Sequence, residues 1–289
     1  MQPVIKHFFH SASFTLTYVV SCPETKQCAI IDPALDFDIF SSHIDTSFAQ
    51  EIIGYVKKQS LEVKWIMETH AHADHVTAAS YLKKKLGGQL VCGRDVTSVQ
   101  STFKELFNFP DFKDDGSQFD LLVRDGESFD LGKLTFKVMS TPGHTPDSVT
   151  YVIGDHAFIG DTLFMPDSGS ARCDFPDGSA ALLYQSIQKI YQLDDNVKLY
   201  MCHDYQPNGR EVAYYCTVAQ QKAENIQICS NISEQAYIEK REQRDGKLAV
   251  PRLIYPSLQL NIRAGQLPGP ESDNQYFLKT PIFGVENLN

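Results

Sequence analysis

The sequence predicts an α/β sandwich, with two β-sheets face to face and helices outside. Three observations point there. A composition of 42% hydrophobic and 21% charged residues over 289 positions is that of a globular chain, long enough for one large domain or two small ones. Strand-like runs followed by helix-like runs occur twice along the chain. The metal-ligand residue types fall where the predicted strands end.

Ile5–His10, Phe14–Val20 and Gln27–Asp32 read as consecutive strands rich in Phe, Thr, Val and Ile. Residues 47–59 place Phe48, Ile52, Ile53 and Val56 at helical intervals. The apolar run Val63–Met67 reads as a buried strand ending in a polar loop at Glu68-Thr69-His70, and a helix over Val76–Leu86 would stop at Gly87-Gly88. Strand patterns return at Leu121–Val123, Leu134–Ser140, Val149–Ile153 and Ala157–Ile159, punctuated by Asp-Gly, Pro-Gly and Gly-Asp. Helices over Ser179–Tyr191 and Glu211–Ile228 flank a strand at Lys198–Cys202. Residues 1–241 are expected to form one domain, and the proline-containing stretch 242–289 an extension packed on it.

The formal net charge of −10 repels phosphate backbones, so nucleic-acid binding is not expected. It leaves room for a small anion held by local arginines. No apolar run approaches the roughly 18 residues a membrane helix needs. The first twenty residues show no signal-peptide pattern, so a cytoplasmic location is expected. Seven cysteines with no Cys-x-x-Cys pair read as reduced thiols.

Thr69-His70-Ala71-His72-Ala73-Asp74-His75 places three imidazoles and a carboxylate just past a predicted strand. Imidazole nitrogen and carboxylate oxygen are ligands of zinc, iron and similar divalent ions. Alternate residues of an extended segment point the same way, so His70 and His72 can face one site. Asp74 and His75, where the chain turns, can face a neighbouring one. The alternative, a solvated His-rich loop, is disfavoured by the specificity of the pattern. His144 sits in a Pro-Gly turn after one strand, Asp161 in a Gly-Asp-Thr run after another, and His203 after a third. Each of these alone would be ordinary turn chemistry. His7, His10, His43 and His156 lack such a setting and read as surface or hydrogen-bonded structural residues.

Together these motifs resemble the metallo-β-lactamase superfamily, from the first strands to about residue 228. The resemblance implies an αββα sandwich carrying its metals on loops at one edge of the sheets. A first metal position would then use His70, His72, His144 and Asp161, and a second Asp74, His75 and His203 with Asp161 shared. That set alone does not choose among hydrolases and oxidases. Gly160-Asp161-Thr162-Leu163-Phe164, the run from Gly169 to Phe175, the Thr141–Thr145 turn and His203-Asp204-Tyr205 look like the persulfide (sulfur) dioxygenase branch. Pro251-Arg252-Leu253 and Asn261-Ile262-Arg263-Ala264-Gly265 resemble its bacterial longer-tailed form. The chain departs from that pattern at Asp177-Gly178-Ser179, where Gly-Gly-Asp is common, and has no room for a rhodanese domain.

The branch resemblance implies one Fe(II) per chain on His70, His144 and Asp161. His72, Asp74, His75 and His203 would surround it, with Asp74, His75 and Tyr205 assisting the chemistry. Glutathione persulfide and O2 are the implied substrates. It leaves open a sulfurtransferase that supplies the persulfide, and a homodimer. Arg172 and Arg252 are the expected substrate anchors, because a guanidinium pairs bidentately with carboxylates and glutathione has two. The alternative for each is an ion pair with one of the chain's 36 acidic residues. Tyr205 would donate its hydroxyl to the substrate, or else serve as a core tyrosine. Cys173 reads as a small buried filler. The competing function is a dinuclear zinc hydrolase of glutathione thioesters, similar to glyoxalase II. Two zinc ions in place of one iron would distinguish it.

Overall fold

The computed structural model describes residues 1–288. Its first half supplies β1 (Val4–His10), β2 (Thr15–Ser21), β3 (Gln27–Ile31), β4 (Ala34–Asp38), β5 (His43–Asp45), α1 (Ser47–Lys58), β6 (Glu62–Met67), β7 (Val76–Thr77), α2 (Ala79–Leu86), β8 (Gln89–Gly93), α3 (Val96–Leu106) and β9 (Leu121–Val123). Six of these strands form one sheet in the order β1-β2-β3-β6-β8-β9, with β4, β5 and β7 in a small separate one. The second half supplies β10 (Ser128–Leu131), β11 (Leu134–Ser140), β12 (Val149–Ile153), β13 (His156–Phe158), α4 (Ala180–Ile190), β14 (Lys198–Tyr200), β15 (Tyr215–Thr217), α5 (Val218–Glu224), α6 (Glu234–Asp245) and α7 (Ile254–Asn261). The strands β10 to β15 form the facing sheet in sequence order.

Every residue of β2 is buried, because this strand is covered on both faces. Its period-two alternation sorts the side chains. Leu16, Tyr18 and Val20 enter the core between the sheets, against Phe136, Tyr151 and Phe158. Val19 enters a second core with Ile30 and Ile66, closed by Phe48, Ile52, Ile53 and Val56 of α1. The αββα sandwich expected from the sequence is the fold observed.

Two expected helices are shorter than their patterns suggest. Val76 and Thr77 pair with Leu35 and Ala34 of β4, so α2 starts only at Ala79, whose N–H donates to Thr77 Oγ1 at 3.0 Å. The stretch expected as one helix over Glu211–Ile228 contains β15, which closes the second sheet against β14, and then α5. Its start is fixed by a capping box between Thr217 and Gln220. The Asp177-Gly178-Ser179 departure has a local use: Ser179 caps α4 by accepting the Leu182 N–H at 3.3 Å. Helix α6 crosses the expected boundary at 242. Among the described residues no helix is long and apolar enough to cross a membrane.

Candidate metal centre

Loops after β6, β11, β13 and β14 meet at one edge of the sandwich and bring the ligand-type residues together. The loop after β6 owes its shape to alternation. Ala71 and Ala73 turn into an aromatic cluster with Phe103, Phe107, Leu258 and Ile262. The histidines between them face the other way. In the β11–β12 turn Gly143 has φ +136°, and a Cβ there would strike the backbone of Leu183, so the turn that aims His144 admits only glycine. Asp147, at the end of the same turn, is buried and accepts the Ala71 N–H at 2.8 Å, tying the two ligand loops together.

One ring nitrogen of each histidine is committed, which fixes the other. His144 Nδ1 donates to the Arg172 carbonyl at 2.7 Å, leaving the Nε2 lone pair 3.6 Å from Asp161 Oδ2. Thr69 Oγ1 spends its proton on Asp32 and so accepts from His70 Nδ1 at 3.0 Å, leaving His70 Nε2 4.0 Å from the same Asp161 oxygen. His72 Nε2 lies 3.1 Å from Asp32 Oδ1 and 3.3 Å from Glu68 Oε2. His75 Nδ1 lies 3.3 Å from Asp74 Oδ1 and 3.2 Å from Thr15 Oγ1. His203 Nδ1 meets Thr15 Oγ1 at 3.5 Å, leaving Nε2 3.2 Å from Asp74 Oδ2 and 3.6 Å from Asp161 Oδ1 without a hydrogen bond to either.

The buried atoms without a hydrogen-bond partner include four on the clustered residues: His72 Nδ1, His75 Nε2, His203 Nε2 and Asp161 Oδ1. Buried polar atoms are normally paired, so such a cluster fits a bound cation. Two ligands about 2.1 Å from one tetrahedral ion stand about 3.4 Å apart. His70, His144 and Asp161 converge within 4.8 Å, and so, separately, do His72, Asp74, His75 and His203. The first-position set implied by resemblance is thus divided, with His72 grouped among the second set. Asp161 lies between, one oxygen toward each.

The electrostatics of His70, His75 and Asp161 suit metal donors, whereas the raised pKa of His72 opposes its use as one. Burial and the neighbouring imidazoles hold His70 well below the ordinary histidine range, so it is a neutral donor. Burial together with His72 holds His75 down to about 3. Burial pushes the Asp161 carboxyl above the usual carboxylate range, with Asp74 adding to it, and a cation would offset that cost. Burial opposes charge on His72, yet Asp32 and Glu68 together hold its pKa well above the ordinary value. Asp32 and Asp147 were not singled out by sequence. Nothing in a lone Asp at a strand end marks it as a support for a ligand loop.

A cavity of about 780 Å³ opens onto these donors, lined among others by His75, His144, Asp161, Tyr205, Arg172 and Arg252. His10, dismissed on sequence, also lines it while bonded to Ser13 and Asp36. Tyr205 lies nearly parallel to His203, ring centroids 5.8 Å apart, and meets Phe164 edge-on. Arg172 departs from the expected anchor. Its guanidinium pairs with both oxygens of Asp174 at 2.5 and 2.6 Å and donates to the Ala249 carbonyl at 2.8 Å. Arg252 makes no ion pair among the described residues and stacks on the exposed ring of Phe40 at 4.9 Å. Burial pushes the Cys173 thiol up to about 12, in keeping with a filler.

The family model for the metallo-beta-lactamase superfamily matches residues 11–203, two thirds of the chain. The chain belongs to the metallo-beta-lactamase superfamily. Within this superfamily it is 46% identical, over 97% of its length and 99% of the relative's, to a probable metallo-hydrolase of Burkholderia pseudomallei. It is 48% identical to a beta-lactamase hydrolase-like protein of Agrobacterium fabrum, of which it spans 66% while 98% of the chain is covered. The resemblance to the persulfide dioxygenase branch is borne out by 30% identity with the mitochondrial persulfide dioxygenase ETHE1 of Bos taurus, over 91% of the chain and 89% of the relative. The crystal structure of ETHE1 from Myxococcus xanthus superposes with a TM-score of 0.73 at 28% identity, covering 91% of the chain and all of that structure. The chain is an enzyme of this superfamily with a metal-binding site.

If one ion sits on His70, His144 and Asp161, alanine substitutions are expected to differ in effect. His70→Ala and His144→Ala should remove most bound metal. His203→Ala and Asp74→Ala should cost about 10–100-fold in activity, as partners that orient a ligand do. Metal content after dialysis checks this, and loss of one of two metal ions in His203→Ala would reverse the ranking.

Proposed function

We propose that the chain is an Fe(II)-dependent dioxygenase of glutathione persulfide. The observation that carries this reading is the separate convergence of two imidazoles and one carboxylate, His70, His144 and Asp161, beside a cavity large enough for a tripeptide. One Fe(II) held by that triad would supply open positions on one face for persulfide and dioxygen. The overall change is GSSH + O2 + H2O giving GSH, sulfite and two protons, so both oxygen atoms end on the outer sulfur.

The protein's own part is placement. Asp74 and His75, linked at 3.3 Å, stand at the cavity wall, where the Asp74 carboxylate would fix the orientation of the neutral His75 ring beside the reacting sulfur. Tyr205 presents its ring on the same wall and would donate its hydroxyl to the substrate. Arg252 offers an uncommitted guanidinium to a glutathione carboxylate.

The test is metal analysis of protein isolated under reducing conditions, with oxygen uptake and sulfite measured on glutathione persulfide. One iron per chain and one sulfite per O2 are expected. Two zinc ions with thioester hydrolysis and no oxygen uptake would replace this reading by the dinuclear hydrolase, which the second donor set favours.

The two arginines should respond differently. Arg252→Ala is expected to raise KM for glutathione persulfide about tenfold with kcat and iron content kept, the signature of a contact equally strong in ground and transition states. Arg172→Ala should lower kcat as well, because it loosens the loop whose carbonyl receives His144 Nδ1. Steady-state kinetics on glutathione persulfide and on a carboxylate-free persulfide separate the two. Equal losses for Arg252→Ala on both substrates would remove it as an anchor.

A further inference from the structure

Among the described residues, those after α5 supply none of the clustered metal donors, yet two of their helices reach the loops that carry those donors. Asn261, the last residue of α7, is 4% exposed and spends its whole carboxamide on one stretch of backbone. Its Nδ2 donates to the carbonyls of His72 and His75, each at 2.8 Å, and its Oδ1 accepts the Thr77 N–H at 2.9 Å. These bonds grip the chain on both sides of Asp74. The approach is close: a Cβ at Gly265, where φ is +78°, would meet the Thr77 carbonyl.

Helix α6 acts on the other loop. Arg241 and Asp245, one turn apart and both buried, pair at 2.5 Å. Arg241 Nη1 donates to the Ser170 carbonyl at 3.0 Å, and Asp245 Oδ2 accepts the Cys173 N–H at 2.8 Å. Between Ser170 and Cys173 lies Arg172, whose carbonyl receives His144 Nδ1.

We propose that α6 and α7 form a built-in brace of the metal centre, in which Asn261 and Asp245 are positioning residues. Asn261 sets the spacing of donors along the His70–His75 loop, and Asp245 sets the orientation of His144. A donor set works only when held within about 0.5 Å of its geometry, and loops lack the ladder bonds that hold strands. Losing such a support typically costs about 10–100-fold in metal affinity. The proposal rests on the metal-centre reading and is independent of the reaction assigned to it.

The structure supplies a matched control. Gln259, on the same helix and fully buried, uses its carboxamide in the same way: Nε2 donates to the carbonyls of Tyr255 and Lys279, and Oε1 accepts the Lys279 N–H, all at 2.8 Å. Among the described residues its side chain makes no hydrogen bond to a ligand loop. Asn261→Asp and Gln259→Glu therefore inflict the same change, an oxygen turned on two carbonyls, one at the ligand loop and one, its bonds less deeply buried, away from it. In the full chain, Fe(II) affinity by chelator competition and the visible spectrum of the Co(II)-loaded protein are measured for the parent, both variants and Asp245→Asn. Asn261→Asp and Asp245→Asn should each weaken Fe(II) binding tenfold or more and alter the Co(II) spectrum. Gln259→Glu should stay within threefold of the parent at a comparable loss of thermal stability. Where Asn261→Asp fails to fold, Asn261→Ala takes its place with the same expectation. Equal affinities for the Asn261 and Gln259 variants, or an unchanged Co(II) spectrum, would overturn the brace. A parent chain that binds neither metal would overturn the metal-centre reading itself.

Discussion

Asp161→Ala is expected to lose bound metal and activity together, by more than the roughly 10–100-fold of a merely supporting residue. Asp161 is 5% exposed and is the one residue whose two oxygens face different donor sets: Oδ2 toward His70 and His144, Oδ1 toward His203. Removing it leaves neutral imidazoles to hold a divalent ion and deletes the charge that compensates it. The metal-free variant should be no less stable than the metal-free parent. Burial raises the Asp161 pKa, so in the folded apo chain its ionisation costs stability at pH above the raised value, and that cost vanishes as pH falls below the ordinary carboxylate value. Asp161→Asn keeps the shape and removes the charge, and should follow Asp161→Ala in metal content. Metal analysis after dialysis, oxygen uptake and calorimetry of the apo forms check the set. Stoichiometric iron with normal uptake in either variant would mean that Asp161 is not a ligand.

The donors of this site were legible in the sequence because they sit where strands end, and strands of alternating or continuous apolar residues announce themselves. Leu121–Val123, Leu134–Ser140 and Val149–Ile153 run as their patterns read. What supports the donors was not legible. Helix α6 buries Tyr237, Arg241 and Asp245, so its inner face is largely polar and leaves no apolar stripe to read. Helix α7 carries Pro256 in its first turn, where proline is tolerated, but in the sequence it reads as one more breaker in an extended tail. Strand β10 is a short edge strand with little buried surface. The fate of Arg172 depended on Asp174, two residues away, and on the Ala249 carbonyl across the fold. Local sequence cannot tell a guanidinium spent on such partners from a free one.

Asp32→Ala should be among the most destabilising single substitutions near the site. Asp32 closes β3 at φ +49°, is 2% exposed, and accepts the Thr69 N–H at 2.7 Å, the Thr69 hydroxyl at 3.0 Å and His72 Nε2 at 3.1 Å. Its loss strands a buried N–H and leaves His72 with Glu68 as its remaining carboxylate. Breaking one partner of a buried ion pair costs about 3–5 kcal/mol. That corresponds to a fall in Tm on the order of 10 °C for a chain of this size. The pH dependence follows from the directions of the two shifts. Burial opposes the charge on Asp32, yet His72 and the Thr69 bonds hold its pKa below the ordinary value, so its contribution is present above about pH 4 and is lost as pH falls through the folded value. His72 is raised, so its contribution is present below about pH 6.5 and is lost as pH rises through its higher folded value. The deficit of Asp32→Ala against the parent, measured by calorimetry on apo protein, should therefore be largest between those limits and shrink in acid. Metal affinity should fall as well, because Thr69 then no longer spends its proton on Asp32 and is freed to donate to His70 Nδ1, turning a ring hydrogen toward the metal position. A loss under about 1 kcal/mol at pH 6, independent of pH, would show that Asp32 and His72 are not paired in solution.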